Sequence, residues 1–518
     1  MEQPITCILD ALSEKKVRKM RSITIKGLSY DSRHIHDGYA YFALTGLHTD
    51  GHQYIEDAIK NGAVCIIHEH ELPHYHEPIV YIQVPNSRTA MSPVAAAFWE
   101  NPSRHLITVG VTGTEGKSTM VALIAQLLNL AGCKAGFIST VAYKIGDETL
   151  PNPEHQTTPE ATTIHEKLNA MLENSLEYAV IESSSHGLSK IMNRLGDVDF
   201  DAGLMTNVRH EHLEFHKTWE NYRNDKANLF RMLENQPKTK RIAGVSKTIN
   251  SFGVVCHDDP SSDYFKKCTE SPVYTYSVKT STADCWASSI QTDPQGSTFL
   301  VTLDGKSYQA RINLPGAFNV ENTLGALLMV KRLTTIDSEV LISLLPKLEP
   351  ITGRMTRIDM GQPFEVLVDY AHTPSSFEAI LPSLREQTKA RLICVFGSGG
   401  ERDGPALHGR ARLPVPRGRR AARLPRARPH GGRDRDRHPR RGLEREMRLR
   451  LACRRARLRR GRHAHPHPDG GRPDPAGRHR VPVGCRDVRR LRQRHRHAEG
   501  GGDAALHPQA AGGTARPG

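Results

Sequence analysis

The sequence predicts an α/β protein of three domains, the central one a parallel sheet carrying a P-loop-type phosphate loop. Three observations predict it. Apolar strand-like runs alternate with helix-like stretches, the signature of a parallel sheet covered by helices. A glycine–lysine loop stands between one such run and the helix after it. A length of 518 residues suffices for about three separate cores.

Residues 1–100 read as a small α/β domain. Ile23-Thr24-Ile25-Lys26-Gly27-Leu28 alternates as a strand does, and residues 54–62 read as a short helix ended by glycine. Asn101-Pro102-Ser103 is the linker to a second domain over residues 101–350. That domain opens with the strand Leu106-Ile107-Thr108-Val109-Gly110-Val111, then a Gly/Thr loop, then a helix over residues 120–130 closed by Gly132. Further strands are expected at 178–181 and 200–205. A third domain begins near Thr352, with a strand at 365–368, a helix at 375–386 and a strand at 392–396 running into a glycine turn.

The net charge of +15 belongs to one segment. Residues 404–518 hold 32 Arg, no Lys and nine acidic residues, whereas residues 1–403 hold 39 basic and 47 acidic side chains. The segment also lacks Ile, Phe, Tyr, Trp, Asn and Ser, so it cannot bury enough surface to offset the entropy of ordering. Two readings stand. One is a basic nucleic-acid arm; the other is GC-rich DNA translated out of frame, favoured because 32 Arg stand beside no Lys. Nine scattered cysteines without a C-x-x-C pair fit a reducing cytoplasm. Neither a signal peptide nor an apolar run long enough for a bilayer is evident. The expectation is a cytoplasmic protein with no membrane or specific nucleic-acid partner.

Three motifs carry chemistry. In Gly113-Thr114-Glu115-Gly116-Lys117-Ser118-Thr119 the glycines let backbone N–H groups face a phosphate; Lys117 would reach the outer phosphates, and Ser118 or Thr119 would hold Mg²⁺. Val111 stands where the full motif has its first glycine, so a simple turn before a helix is the plain alternative. Glu182, in Glu182-Ser183-Ser184-Ser185-His186-Gly187-Leu188, sits where a parallel strand ends and can complete a magnesium shell. In His210-Glu211-His212-Leu213-Glu214-Phe215-His216, alternation would put three histidines on one side of an extended segment. Zinc, magnesium-linked and solvated-surface readings all remain open there. Lys226 would ordinarily be a helix-surface lysine.

Together these motifs resemble the Mur ligase family. Thr112 to Thr119 is similar to its T-G-T-x-G-K-[ST] loop, and Glu182 to Leu188 to its E-x-S-S-H-[AG]-L. Thr206 to His216, with Tyr222 to Phe230, resembles T-N-x-x-x-[DE]-H-L-[DE]-[FY]-H and Y-x-x-x-K-x-x-L-F. Gly316 to Asn322 resembles the adenine-side G-x-F-N-x-x-N. Gly353-Arg354-Met355 and Asp369-Tyr370-Ala371-His372-Thr373-Pro374 resemble two third-domain motifs. Ser29-Tyr30-Asp31-Ser32-Arg33, Asp50-Gly51-His52 and Thr157-Thr158-Pro159 point to the branch that adds the third residue to UDP-N-acetylmuramoyl-dipeptide.

The resemblance implies an ATP-dependent ligase of peptidoglycan precursor synthesis, working through an acyl phosphate. It implies Lys117, Glu182, His212 and Lys226 as catalytic residues. Gly113, Thr114, Gly116, Lys117, Ser118, Thr119, Asn322, Arg354, Asp369 and His372 would bind ATP. Ser118, Glu182, His212 and a carbamylated Lys226 would bind Mg²⁺. Ser32, Thr157, Thr158, Ser185 and Arg194 would face the UDP-sugar substrate, a diamino acid would be the second substrate, and the enzyme would be a monomer. Two departures stand out. Glu115 replaces the family's usual asparagine, and after Gly397–Asp403 the expected basic pair, the rest of a Rossmann-like third domain and a D-x-P-R-type motif are unreadable. A folylpolyglutamate synthetase shares the fold and route, but the uridine-type opening and Thr157-Thr158-Pro159 argue against it.

Overall fold

A computed structural model describes residues 1–46, 49–154, 156–371, 374–388 and 390–396. The N-terminal sheet has five strands in the order Lys16–Arg18, Val80–Gln83, Ala63–His68, Tyr39–Phe42, Gly27–Ser29. All neighbours run parallel except the first pair. Its centre is apolar because Ile66, Ile67, Val80 and Ile82 are wholly buried between helices on the two faces. The strand expected at 23–28 is split. Thr24–Ile25 pairs with Gln3–Pro4, and Gly27–Ser29 alone joins the sheet. At the break the Lys26 N–H donates to the Gly38 carbonyl, beside the Gly27–Tyr39 pair.

The site rests on a second, eleven-stranded sheet. It is parallel from Ala135–Ile138 through Tyr178–Glu182, Ile107–Thr112, Ala202–Met205, Phe252–Cys256 and Val273–Ser277 to Cys285–Asp293. Antiparallel hairpins extend both edges. We label β1 Ile107–Thr112, α1 Lys117–Leu130, β2 Tyr178–Glu182, α2 Ser185–Leu188, β3 Ala202–Met205, α3 Trp219–Arg231 and α4 Ala317–Leu333. Every residue of β1, β2 and β3 is buried, as strands covered on both faces must be. Helices α1 and α4 pack together over one face, and α3 covers the other through Leu229 and Phe230.

The strand after β1 in sequence, Ala135–Ile138, lies on one side of it beyond β2, while β3 lies on the other. The connections therefore diverge at the carboxyl end of β1, where parallel α/β sheets open a ligand crevice. Beyond residue 350, Thr356–Arg357 pairs with Leu367–Val368, and a helix spans Pro374–Gln387. The strand expected at 392–396 is absent. Ile393, Val395 and Phe396 are exposed, and among the described residues no strand lies alongside to accept a ladder. The glycine turn expected at Gly397–Asp403 lies outside the described residues.

Candidate active site

The loop after β1 folds as its glycines allow. Gly113 and Gly116 sit at φ 145° and 80°, in the half of the map open to glycine. A Cβ on Gly113 would collide with the Thr206 hydroxyl, and one on Gly116 would press on Asn322 Oδ1. Because Gly116 caps α1, the helix begins at Lys117, three residues earlier than apolar periodicity alone places it. The loop is clamped from β3's end: the Glu115 N–H donates to Asn207 Oδ1 at 3.0 Å, and the Glu115 carbonyl accepts from Thr206 Oγ1 at 2.7 Å. Thr114 Oγ1 accepts the Arg209 N–H at 2.8 Å and lies 3.1 Å from the Tyr222 hydroxyl.

Side chains from four elements converge here. Ser118 Oγ donates to Glu182 Oε1 at 3.0 Å, and Glu182 Oε2 accepts the Thr140 N–H at 2.8 Å. Arg354 Nη2 reaches across from the third segment to Ser118 Oγ at 2.8 Å, its guanidinium lying 4.7 Å over the Tyr370 ring. Asp369 fixes that segment's own backbone, accepting from the Met355 and Ala371 N–H groups. Lys117 Nζ folds back onto the Thr114 carbonyl at 2.8 Å, an internal partner a phosphate would replace. The Glu115 carboxylate accepts from Ser376 Oγ at 2.9 Å, which ties the loop to the helix Pro374–Gln387. Lys117, Ser118, Thr119, Thr157, Glu182, His212, Asn322, Arg354 and Asp369 line one cleft of about 480 Å³. Thr140, Asn207, Arg209 and Glu321, which were not singled out as site residues, line it too; of these only Thr140 lies outside every motif stretch. His372 lies outside the described residues.

Lys226 is no surface lysine. It is 1% exposed, its Nζ donates to the Gly113 carbonyl at 2.5 Å and stands 4.4 Å over the Tyr222 ring. Burial, then the nearby Lys117 charge, drives its pKa well below that of a free lysine. His212 occupies a left-handed position at φ 58°, which aims its ring into the cleft and beside His186. Burial lowers its pKa, keeping the imidazole neutral. The extended segment expected for the three histidines ends at His212, and His216 lies instead in a helical turn, Leu213–His216. His216 has both ring nitrogens engaged, by Asp225 and Ser185, so the zinc reading loses a ligand.

Of the residues expected at the sugar substrate, Thr157 lines the cleft itself, whereas Thr158 and Arg194 form a second group behind its wall. Thr158 Oγ1 donates to the Glu182 carbonyl at 2.8 Å and accepts the Ser184 N–H at 2.9 Å. Arg194 donates to the Thr158 carbonyl and to Glu160 Oε1, which Arg88 of the N-terminal domain also reaches. Tyr30 faces this group: burial, then the Glu160 and Glu154 charges, push its phenol up to about 12. Ser32 is buried two residues further on, in a 3₁₀ turn. Among the described residues, the one His/Cys/Asp/Glu group with ligand atoms within 4.8 Å of one another is Cys256, Asp258 and Glu321. Cys256 Sγ donates to Glu321 Oε1, and Asp258 Oδ1 accepts from Ser277 Oγ.

A lysine and an acid flanking a glycine loop at the switch point of a parallel sheet define a P-loop-type nucleotide-using enzyme. Residues 24–99 match the Mur ligase family catalytic domain, 111–330 the Mur ligase middle domain, and 353–415 the Mur ligase glutamate ligase domain. The UDP-N-acetylmuramyl-tripeptide synthetase of Treponema denticola is 47% identical over 73% of this chain and 72% of its own. That of Treponema pallidum is 44% identical over 77% and 78%. A solved UDP-N-acetylmuramoyl-L-alanyl-D-glutamate–2,6-diaminopimelate ligase superposes with a TM-score of 0.56, 28% identity, and coverage of 73% and 74%. The chain belongs to the Mur ligase family, whose members catalyse ATP-dependent ligation in peptidoglycan precursor synthesis.

Proposed function

We propose that this ligase joins an amino acid to UDP-N-acetylmuramoyl-L-Ala-D-Glu. ATP phosphorylates the free D-glutamyl carboxylate, the amino group of a diamino acid attacks the acyl phosphate, and phosphate leaves. The observation that carries the reading is the meeting of Ser118, Glu182 and Arg354 at the phosphate loop, with the Thr158–Glu160–Arg194 group directly behind Glu182. Nucleotide and muramoyl-peptide sites would share that wall, which places a phosphate acceptor against a phosphate donor. Lys117 and Arg354 supply positive charge against the negative charge on the γ-phosphate. Asn322, packed on Gly116, would border the adenine side.

Mg²⁺ fits the donor set. Ser118 and Glu182 offer hard oxygens 3.0 Å apart, and His212 is neutral. Magnesium would neutralise phosphate charge when bound. Lys226 suits the family's carbamate: burial lowers its pKa, which favours the neutral amine that adds CO₂, and the product is an anion. The enzyme would be cytoplasmic and monomeric; no helix among the described residues is long and apolar enough to cross a membrane.

We further propose that residues from about Gly404 onward are read out of frame, on the strength of 32 Arg without a Lys. Sequencing across codons 400–420 tests this, with one inserted or deleted base expected. The product of the corrected gene should release ADP when given the muramoyl-dipeptide and a diamino acid, and should ignore folate. Stimulation by folate alone would overturn the substrate assignment.

A further inference from the structure

Glu115 is the phosphate loop's departure from the family pattern, and none of the steps above uses it. A carboxylate beside bound phosphates repels them, so its presence calls for a compensating role. Its main chain is held on both sides: the N–H donates to Asn207 Oδ1 at 3.0 Å and the carbonyl accepts from Thr206 Oγ1 at 2.7 Å. From that fixed base the side chain extends to the third segment, where Oε1 accepts from Ser376 Oγ at 2.9 Å. Ser376 lies in the first turn of the helix Pro374–Gln387, and the dipole there favours a carboxylate.

A second contact joins the same two parts of the molecule. Arg354 Nη2 donates at 2.8 Å to Ser118 Oγ, in the first turn of α1. On the third segment the two attachment points are stitched together by Asp369, which accepts the Met355 N–H at 2.8 Å and the Ala371 N–H at 2.7 Å. One contact alone would leave the segment free to pivot about it. Two contacts, tied by a third, fix where the Arg354 guanidinium stands over the loop. Glutamate has the reach for this; the family's asparagine, one methylene shorter, places its amide short of Ser376.

We propose that Glu115 is a positioning residue: its carboxylate anchors the helix Pro374–Gln387 to the phosphate loop and thereby sets Arg354 against the outer phosphates of ATP. The proposal rests on the nucleotide reading of the loop. It accounts for an acid at a phosphate site, because the acid is spent on a hydroxyl and a helix terminus.

Two measurements on the full chain test it. In hydrogen–deuterium exchange without nucleotide, Glu115→Ala and Ser376→Ala should each speed exchange across residues 374–387 about threefold to tenfold, the worth of one hydrogen bond, while α1 and α3 keep their protection. The double variant should exchange no faster than Glu115→Ala. Unchanged exchange there, or effects that add, overturns the anchor with no ligand involved. In calorimetry, Glu115→Ala should weaken ATP binding about threefold to tenfold, opposite in sign to the tighter binding that deleting a negative charge would give by itself. Glu115→Gln, which keeps the reach and an acceptor oxygen, should recover most of the loss, and Glu115→Asn should not. On an Arg354→Ala background, Glu115→Ala should cost nothing further. Tighter ATP binding by Glu115→Ala, a loss that adds to that of Arg354→Ala (as for a metal ligand), or equal behaviour of the Gln and Asn variants overturns the positioning role. Failure of the unaltered chain to bind ATP overturns the nucleotide reading, whereas the anchor stands or falls by the exchange measurement.

Discussion

Lysine chemistry at this site is set by burial more than by residue type. Lys117 keeps an internal partner that ligand can replace, while Lys226 is sealed against the Gly113 carbonyl and burial drives its pKa down. Lys117→Ala should therefore weaken ATP binding by about 10- to 100-fold, the value of a charge-assisted contact of ~1.5–3 kcal/mol; unchanged affinity in a nucleotide titration would contradict the phosphate-loop assignment. His165 shows the same physics away from the site. It is fully buried, neither ring nitrogen has a hydrogen-bond partner among the described residues, and burial pushes its pKa to about 3. Below the ordinary value of 6.5 the unfolded chain takes up a proton that the folded chain refuses. Stability at this residue is thus complete above about pH 6.5 and falls as pH drops toward about 3, by at most ~1.4 kcal/mol per pH unit. His165→Leu should flatten that part of the stability–pH curve in denaturant titrations and be neutral or stabilising at pH 7.

At the scale of elements, the ends of β1, β2, β3 and α3 carry the chemistry, and local caps hold those ends in place. Thr218 accepts the Asn221 N–H and so fixes the start of α3, the helix that delivers Lys226 and Asp225. Thr218→Ala should cost about 1 kcal/mol of stability, read as a lower urea midpoint. Gly113→Ala should cost more, because it adds strain at φ 145° to a collision with Thr206. Its signature would be lost nucleotide binding with the fold retained by circular dichroism.

Across the whole molecule, catalytic assembly depends on segments far apart in sequence. Arg354 meets Ser118 across 236 positions and Ser376 meets Glu115 across 261, so the third segment packs directly onto the glycine–lysine loop. Arg354→Ala should leave the fold intact and reduce ATP affinity about tenfold. The Arg-rich tail should bind nucleic acid in filter assays as any polycation does, with affinity falling steeply from 50 to 200 mM salt and vanishing on truncation at Gly404. Persistence at high salt would point instead to a selected arm.

Motif order and strand–loop–helix alternation determined the α/β class, the phosphate loop and most of its partners, because backbone chemistry at a glycine–lysine turn is local. The same locality explains the errors. Alternation suggested an extended histidine segment, but His212 takes a left-handed conformation and His216 turns inward to Ser185 and Asp225. Spacing likewise joined residues 23–28 into one strand, although pairing partners split it. Only the tertiary structure decided which lysine is buried, why Glu115 faces Ser376, and that Thr140, Asn207 and Arg209 line the cleft. Each of those depends on burial or on contacts between distant residues, quantities that a one-dimensional pattern does not contain.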